Sequence, residues 1–345
     1  MPYNELRKDY LLNRWVVIAT ERARRPNDFV KPKTEQPKTT NCPLCLGNEN
    51  MTPPAVLVYL PTEQGITKSK EDGDFRYKNW LIRTVPNMFP AFAPPKTPLD
   101  AQNIMQSDSF GYAIGHHEVL IETPNHNDHP PNTPLPQLVN VINAYKDRLS
   151  EISTKPYVQY VQIFRNHGVE AGASLSHPHS QIIATPFTPT IPKEEMITSE
   201  TYHDKHGTCF YCDLTKKERQ TERHILDNDY FEVFSPYASV HPMEFWIVPK
   251  RHSMNILDLS NDEIQSFAQT IQTMFKGLKD LVNDPPYNFG IHLSIDKNLQ
   301  ECYHWHLEVY PHLAIWAGFE KSTGMYINTI TPETAAQELR KIIQV

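Results

Sequence analysis

The two halves of the chain carry the same ordered set of features, and this internal repeat restricts the fold more than any other property of the sequence. In each half a strand-like run that begins with glutamate is followed, at the same spacing, by a histidine: Glu118 and His126, then Glu244 and His252. A C-x-x-C pair precedes the run and an H-x-H pair follows it, at a nearly constant offset between the halves. Four ordered features rarely match by chance, so we interpret the chain as a diverged duplication.

Each half also contains a helix and a further strand between the glutamate run and the H-x-H pair. The strands are expected at 157–164 and 288–294. A capping box of Ser260 and Glu263 is predicted to start the second helix. Apolar residues recur at the helical period in both halves: Leu138, Val141, Ile142, Tyr145 and Leu149, then Ile264, Phe267, Ile271, Phe275 and Leu278.

The element order predicts an α+β fold with a mainly antiparallel sheet and flanking helices, because strands and helices do not alternate regularly. We expect two tandem halves, 1–190 and 191–345, since the proline-rich stretch 186–192 is typical of a connector. The polar segments 34–41 and 61–74 are expected to be loops.

The C-terminus is predicted to be helical at 332–343. Thr331 is a suitable N-cap there, and Pro332 is well placed in the first turn, where its missing N–H costs nothing.

Composition excludes several classes of function. The chain has 345 residues and a formal net charge of -7, which argues against a general nucleic-acid binder, since neutralising phosphates needs a basic surface. No apolar run is long enough to span a membrane, and the first residues lack the apolar core of a secretory signal. We therefore expect a cytoplasmic protein with no membrane partner.

The five cysteines indicate metal binding in that compartment, where disulfides are rare. Four of them stand in C-x-x-C pairs, and Cys302 is expected to be a plain buried thiol. Two cysteines on a turn and two distant histidines are a common tetrahedral zinc site. The alternative is reduced cysteines near turns with solvated histidines. The two candidate zinc sites are Cys42, Cys45, His126 and His177, then Cys209, Cys212, His252 and His304.

The third ligand of the first site has competitors in His117 and His129, and the repeat position selects His126. Both sites are expected to be structural, because protein side chains supply all four ligands. Metal bound to His177 would also fix the backbone that presents His179.

His179 is the candidate nucleophile. Residues two apart on a strand share a face, so His177, His179 and Gln181 point the same way. A neutral imidazole can attack phosphorus and later release the group. Such transfer depends on positioning and charge stabilisation. Donors for a phosphate are expected from Gln181, from Asn166 and Ser174 with the small residues between them, and from Arg22 and Arg25.

These residues belong to motifs through which the chain resembles the galactose-1-phosphate uridylyltransferase family of the histidine-triad superfamily. The resemblance covers nearly the whole length, and its most specific element is H-P-H-S-Q at 177–181 after G-A-S at 172–174. The other matching motifs are R-K-D at 7–9, W-V-V-I at 15–18, E-R-A-R-R-P at 21–26, C-P-L-C at 42–45, R-T-V-P-N-M-F-P at 83–90, A-G-F-E at 317–320 and G-M-Y-I-N at 324–328.

The resemblance implies two histidine-triad-like halves and a ping-pong reaction. UDP-glucose would give a uridylyl-His179 and glucose 1-phosphate, and galactose 1-phosphate would then accept the uridylyl group to give UDP-galactose. It also implies a homodimer whose C-terminal segment completes the neighbour's sugar pocket. In this reading the substrate-binding residues are Arg22, Arg25, Ser174 and Gln181 at the phosphates, Asn87 and Asn166 at the nucleoside or phosphate, and Glu320 at the hexose.

The second half departs from the best-known bacterial members, which have a histidine and glutamate iron-type site instead of a cysteine pair. Two zinc sites resemble a branch that includes plant ADP-glucose phosphorylases, so adenylyl transfer is the alternative. His306 repeats the position of His179, but Glu308 replaces Gln181, and we expect no chemistry in this half. A non-catalytic zinc scaffold is the remaining hypothesis. The histidines left as ordinary polar residues are His116, His117 and His312.

Overall fold

The computed structural model describes residues 4–19, 42–102, 104–107 and 109–344. Arg22, Arg25 and the predicted loop at 34–41 lie outside these residues.

A small sheet joins the two ends of the described chain. Strands β1 (Glu5–Lys8) and β2 (Trp15–Ile18) form an antiparallel pair. Near the C-terminus β16 (Tyr326–Asn328) adds to β2 in parallel. Val16 and Ile18 are fully buried against Ala238 and Val240, so apolar packing holds this sheet on the second half.

The large sheet contains strands from both halves. The first half contributes β3 (Leu57–Thr62), β4 (Gly65–Ser69), β5 (Ile82–Pro86), β8 (His116–Ile121), β9 (Tyr160–His167) and β10 (His179–Thr185). The second half contributes β11 (His224–Asp227), β12 (Phe231–Phe234), β13 (Phe245–Pro249), β14 (Tyr287–His292) and β15 (His306–Pro311). A separate short pair consists of β6 (Met105–Ser107) and β7 (Phe110–Gly111).

The strand order confirms the predicted α+β fold and shows the repeat directly. The eleven strands run β11-β12-β13-β15-β14-β9-β10-β8-β5-β3-β4, all pairs being antiparallel. Read outward from the centre, β9-β10-β8-β5-β3 matches β14-β15-β13-β12-β11. The two halves meet where β9 pairs with β14 and Asn166 lies opposite Asn288. The division at residues 190 and 191 stays a prediction.

Two long helices cover one face of this sheet. They are α2 (Leu135–Ile152) and α5 (Asn261–Val282), and they contain the apolar residues that the helical period selected. The capping box of Ser260 and Glu263 is present, with both reciprocal hydrogen bonds formed. The apolar faces of both helices join one core with the inner residues of the strands. Each fully buried large side chain there contributes about 1.5–3 kcal/mol relative to exposure.

Helices α3 (Thr190–His206) and α4 (Phe210–Glu218) belong to the second half. Tyr211 and Leu214 of α4 and Met196 of α3 pack with Trp246 and Tyr303 in a second apolar cluster. Trp246 lies on the strand face opposite the α5 side, because its neighbours Phe245 and Ile247 belong to the large core. The two helices therefore cover the second half on that opposite face.

Three shorter helices complete the described chain: α1 (Pro98–Gln102), α6 (Gly318–Thr323) and α7 (Pro332–Ile343). The C-terminal prediction is confirmed, since the Thr331 hydroxyl accepts from the Thr334 backbone N–H and Pro332 is in the first turn. None of the described helices combines the length and apolarity needed to cross a membrane.

One expectation from the sequence was wrong, and another needs its limits narrowed. The segment 61–74 contains a hairpin, in which β4 follows β3 after a turn with Gly65 at φ +122°. Most of β4 is exposed at the edge of the sheet, where polar side chains and the charged Lys68 disfavour pairing with a further strand. The predicted connector 186–192 is only partly irregular, since α3 begins at Thr190 and Pro192 lies in its first turn. A first-turn N–H has no partner within the helix, so proline is tolerated there.

Candidate active site and metal centres

Strand β10 presents His179 and Gln181 on the sheet face opposite α2. Ile182 of β10 is fully buried in the large core beneath α2. Since alternate residues of a strand face opposite sides of the sheet, His179 and Gln181 point away from the helices. His179 lies opposite Ile121 of β8, and Gln181 lies opposite both Val119 of β8 and Phe164 of β9. His179 is buried, whereas Gln181 is half-buried.

The first predicted metal set is assembled as expected. Ligand atoms of Cys42, Cys45, His126 and His177 all lie within 4.8 Å of one another. The Sγ of Cys45 is 3.2 Å from Nδ1 of His126 and 3.4 Å from Nδ1 of His177. The cysteines lie on a tight turn, in which the Cys45 N–H donates to the Cys42 carbonyl.

The surroundings of this set fit zinc. Nε2 of His177 lies 2.8 Å from the Thr123 carbonyl, so Nε2 donates and the Nδ1 lone pair faces the cysteines. Burial lowers the pKa of His177 to about 4, which favours the neutral imidazole that a metal requires. His129, one of the two competitors, instead accepts a hydrogen bond at Nδ1 from Arg165, at 3.0 Å. Two thiols and two imidazoles are the donors that a tetrahedral zinc ion accepts.

The second set repeats this arrangement. Cys209, Cys212, His252 and His304 also have ligand atoms within 4.8 Å of one another. The Sγ of Cys212 lies 3.5 Å from Nδ1 of both His252 and His304, and Cys209 Sγ lies 3.9 Å from His304 Nδ1. The hydrogen bond from Cys209, with the nearby imidazoles, lowers the pKa of Cys212, which favours a thiolate ligand.

His179 is not part of the metal set, and its tautomer is fixed by the backbone. Its Nδ1 lies 2.7 Å from the His177 carbonyl oxygen, so Nδ1 carries the hydrogen and Nε2 carries the lone pair. Burial lowers the pKa of His179, which keeps the ring neutral. The imidazole therefore has a free basic nitrogen near neutral pH, as a nucleophile needs.

A buried polar network lies behind His179, on the α2 side of the strand. Glu122 forms an ion pair with Arg165 and accepts a hydrogen bond from the Ser180 hydroxyl. The Tyr145 hydroxyl is 2.6 Å from that of Ser180. Buried charges are stable only when paired and hydrogen-bonded, so these contacts restrict how β10 can lie on the sheet.

His117 belongs to the site, contrary to the expectation that it is an ordinary polar residue. Its Nε2 lies 2.8 Å from Oε1 of Gln181, and its Nδ1 lies 3.1 Å from the backbone nitrogen of Ala91. Asn87, a predicted substrate contact, has its Nδ2 3.1 Å from the same Nε2. The structure therefore brings Asn87 and Gln181 together through a residue that the sequence analysis set aside.

Asn166 lies at the end of β9 and is held by the second half. The Asn288 amide nitrogen donates to Asn166 Oδ1 and to the Ala171 carbonyl, both at 2.8 Å. His312, which was expected to be an ordinary polar residue, takes part in this contact, because its Nε2 forms a hydrogen bond with Oδ1 of Asn288. The chain then turns at Gly172, whose φ of +83° favours glycine, and continues to Ser174.

Glu320 is not brought to His179 by any contact among the described residues. It lies in α6, where its carboxylate accepts from the Ala317 backbone N–H at 3.0 Å. Its role at the hexose stays a prediction.

The structure contains a third group that sequence reasoning missed. Glu195, His292, His306 and Glu308 are all buried, and their ligand atoms lie within 4.8 Å of one another, so they could hold a metal ion. Burial lowers the pKa of His292, but the nearby carboxylates of Glu195 and Glu308 outweigh this effect and raise it to about 9. The H-x-H pair pointed to His306, but no local spacing pointed to Glu195, which reaches the group only because α3 folds back over the sheet.

Comparisons with known proteins agree with this architecture. A family model described as galactose-1-phosphate uridyl transferase, N-terminal domain, matches residues 2–189. A domain of unknown function (DUF4921) matches residues 139–344. The chain is 32% identical to ADP-glucose phosphorylase of Arabidopsis thaliana, covering 98% of this chain and 93% of the relative. It is 27% identical to galactose-1-phosphate uridylyltransferase of Thermotoga maritima, covering 98% of both.

A solved structure is similar over the whole chain. It is an ADP-glucose phosphorylase from Arabidopsis thaliana with bound ADP-glucose, at a TM-score of 0.81 and 28% identity, covering 98% of this chain and 99% of that one. The match of the family model to more than half of the chain is decisive. The chain belongs to the galactose-1-phosphate uridyl transferase family and is a nucleotidyltransferase.

Proposed function

We propose that the protein transfers a nucleotidyl group from a nucleotide sugar to a phosphate acceptor through a covalent intermediate on His179. The observation that carries this proposal is the hydrogen bond from His179 Nδ1 to the His177 carbonyl, which leaves Nε2 free to attack. In the first step Nε2 attacks the α-phosphorus, the nitrogen–phosphorus bond forms, and the bond to the sugar phosphate breaks. Glucose 1-phosphate leaves with the electron pair.

In the second step a phosphate oxygen of the acceptor attacks the same phosphorus, and the bond to Nε2 breaks. The chain's own contribution to both steps is to orient the phosphate and stabilise its charge. Amide donors from Gln181, Asn87 and Asn166, with Ser174, supply this on the described part of the site. Arg22 and Arg25 would add positive charge.

The site needs no metal at the reacting phosphorus in this scheme. Zinc held by Cys42, Cys45, His126 and His177 would fix the backbone of His177, whose carbonyl in turn holds His179. The second cysteine and histidine set would stabilise the other half in the same way.

Two substrate pairs are candidates. The sequence motifs favour UDP-glucose with galactose 1-phosphate, which would make the protein a UDP-glucose–hexose-1-phosphate uridylyltransferase of galactose metabolism. The similarity to ADP-glucose phosphorylase, which is higher in identity than that to the Thermotoga maritima enzyme, supports ADP-glucose with phosphate. We further propose a cytoplasmic homodimer with no nucleic-acid partner.

The test is to mix stoichiometric protein with UDP-glucose alone and with ADP-glucose alone. We expect release of one equivalent of glucose 1-phosphate from the true donor, with a mass gain of one uridylyl or one adenylyl group. His179→Asn should abolish that gain and keep its full metal content. A protein that gains no nucleotidyl mass from either sugar, or a His179→Asn variant that loses metal, would contradict the proposal.

A further inference from the structure

The geometry points to His117 as a positioning residue that fixes the amide orientation of Gln181, so that its NH₂ group faces the transferred phosphoryl group. This inference rests on the proposed function at His179. His117 lies on β8 opposite Ile183, on the same face as Gln181 and diagonal to it. Both side chains are half-buried.

The backbone fixes the tautomer of His117. The Ala91 N–H donates to Nδ1, at 3.1 Å, so Nδ1 must carry a lone pair. A neutral imidazole has one N–H, which therefore sits on Nε2. The opposite tautomer would place two N–H groups against each other at Ala91.

The Nε2–H then has one suitable acceptor among its two close neighbours. Asn87 presents Nδ2 at 3.1 Å, because Asn87 Oδ1 already accepts from the Phe89 N–H at 2.8 Å. An amide nitrogen cannot accept a hydrogen bond. The Nε2–H therefore donates to Gln181 Oε1 at 2.8 Å.

This bond determines what Gln181 can offer a substrate. With its oxygen held by His117, only the NH₂ group is left to reach a ligand on the face shared with His179. If the amide were reversed, its oxygen would repel a phosphoryl oxygen. A donor aimed in advance at developing negative charge is worth more than one that must reorient.

A separate observation gives Asn288 the same role toward Asn166. The Ala171 carbonyl can only accept, so the Asn288 atom 2.8 Å from it is the NH₂ nitrogen. That nitrogen also lies 2.8 Å from Asn166, whose facing atom must be Oδ1. The Asn166 NH₂ is thereby directed to the Gly172 turn, where an added Cβ on Gly172 would lie 4.0 Å from it.

The first experiment compares His117→Phe with His116→Phe. His116 is the adjacent half-buried histidine on β8, points to the other face and contacts Tyr157. We expect His117→Phe to lower kcat by about 10- to 100-fold with little change in KM, which is less than the roughly 10²- to 10³-fold cost of removing an oriented donor outright, because the Gln181 amide remains. We expect His116→Phe to change kcat less than about threefold. In a Gln181→Ala background, His117→Phe should cause no further loss. Equal effects of the two histidine variants, or an additive loss in that background, would overturn the inference.

A readout independent of activity is ¹⁵N NMR of the imidazoles, with His117 assigned by the signal that His117→Phe removes. The neutral Nε2–H tautomer is expected, and the Nδ1–H tautomer would refute the hydrogen-bond assignment. Wild-type protein that forms no nucleotidyl adduct would refute the proposed function instead, and the tautomer would still be decided.

For Asn288, the sign of the effect is diagnostic. Asn288→Asp removes the donor and forces Asn166 to turn its NH₂ away from the substrate, whereas Asn288→Ala leaves Asn166 free. We expect kcat of the Asp variant to be lower than that of the Ala variant, with both unfolding temperatures measured as controls. An Asp variant as active as wild type would exclude the role.

Discussion

The two halves present the same strand motif on the same face of one continuous sheet, yet the motif ends in a different side chain in each half. On β10 the motif ends in Gln181, an amide that can donate to a phosphate. On β15 it ends in Glu308, whose carboxylate accepts from His306 Nε2 at 3.1 Å. The comparison shows that the same H-x-H strand can present either an amide or a buried carboxylate at its third position, and we expect that position to decide whether the strand can bind a phosphate.

The second difference is that aromatic side chains cover the sheet face around His306 of β15. His306 is fully buried, with the Tyr211 ring centroid 4.6 Å and the Trp246 centroid 5.2 Å from its own. Aromatic rings from α4 and β13 therefore pack directly against this imidazole. His292 completes the enclosure at 4.9 Å between ring centroids.

The largest expected effect separates His179 from His306. His179→Asn should reduce nucleotidyl transfer by about 10⁴-fold or more, since it removes the atom that forms the covalent bond. His306→Asn should still form the nucleotidyl adduct, although its unfolding temperature should fall because a buried hydrogen bond to Glu308 is lost. Single-turnover kinetics with the true donor measure the transfer rate, and calorimetry measures the unfolding temperature. A His306→Asn protein that folds but forms no adduct would show that the halves share the chemistry.

The next effect separates the two cysteine sets. Cys45→Ser and Cys212→Ser should each lose one metal equivalent by elemental analysis. Cys45→Ser should also lower kcat by about 10- to 100-fold, because His177 then holds the His179 tautomer less firmly. Cys212→Ser should act mainly on the free energy of unfolding. If both variants lost the same fraction of kcat at equal folded fractions, the first cysteine set would have no special link to catalysis.

The sequence repeat aligns Glu118 with Glu244, but the sheet register sets them one residue apart and therefore on opposite faces, since Glu118 lies opposite Ile182 whereas Phe245 lies opposite the matching Val309. The same change to glutamine should affect the two glutamates in opposite directions. Glu118 is paired in a bidentate manner with the buried Arg148, with both contacts at 2.7 Å. Glu118→Gln should lower the free energy of unfolding by about 3 kcal/mol, because it leaves a buried guanidinium short of its partner. Denaturant titration at pH 8 measures this. Glu244→Gln should be neutral or stabilising at that pH, because the buried Glu244 has a raised pKa and no buried cation among the described residues is left without its partner. A loss as large as that of Glu118→Gln would contradict the argument.

The last effect is a pH dependence that belongs to Glu244. Burial, followed by the nearby Glu308 carboxylate, raises the pKa of Glu244 to about 8. Glu244 in the folded state therefore keeps its proton up to a higher pH than in the unfolded chain, where its pKa has the ordinary value of 4.5. The contribution to stability is complete below pH 4.5 and is lost as the pH rises through 8. The free energy of unfolding should fall less steeply between pH 5 and pH 8 for Glu244→Gln than for the wild type. An unchanged slope would show that another group causes the pH dependence.

Periodicity and repeat spacing predicted the elements that pack by their own pattern. The helices α2 and α5, the C-terminal helix and the H-x-H strands follow from apolar spacing and caps that are local in sequence. The two metal sets could be predicted because cysteine pairs and repeat positions identify them without coordinates. His179 was selected as the candidate nucleophile from H-P-H-S-Q and from the family resemblance, and this assignment stays a prediction.

What escaped prediction depends on contacts between distant segments. His117 acts through a diagonal neighbour on another strand, which requires the register of β8 with β10. Glu195 and Asn288 join their groups only through the fold of α3 and the pairing of β9 with β14. The hairpin at 61–74 was missed because the polar side chains of an exposed edge strand look the same as those of a loop.

The central pairing of β9 with β14 has a consequence for how this chain can be divided. If residues 191–345 were removed, β9 would present a row of unsatisfied amides and carbonyls to solvent, and such an edge promotes self-association. The catalytic fragment would also lose the amide of Asn288 beside its own Asn166. The second half, in which we expect no chemistry, would then be required to keep the first half monodisperse and to hold Asn166 in place.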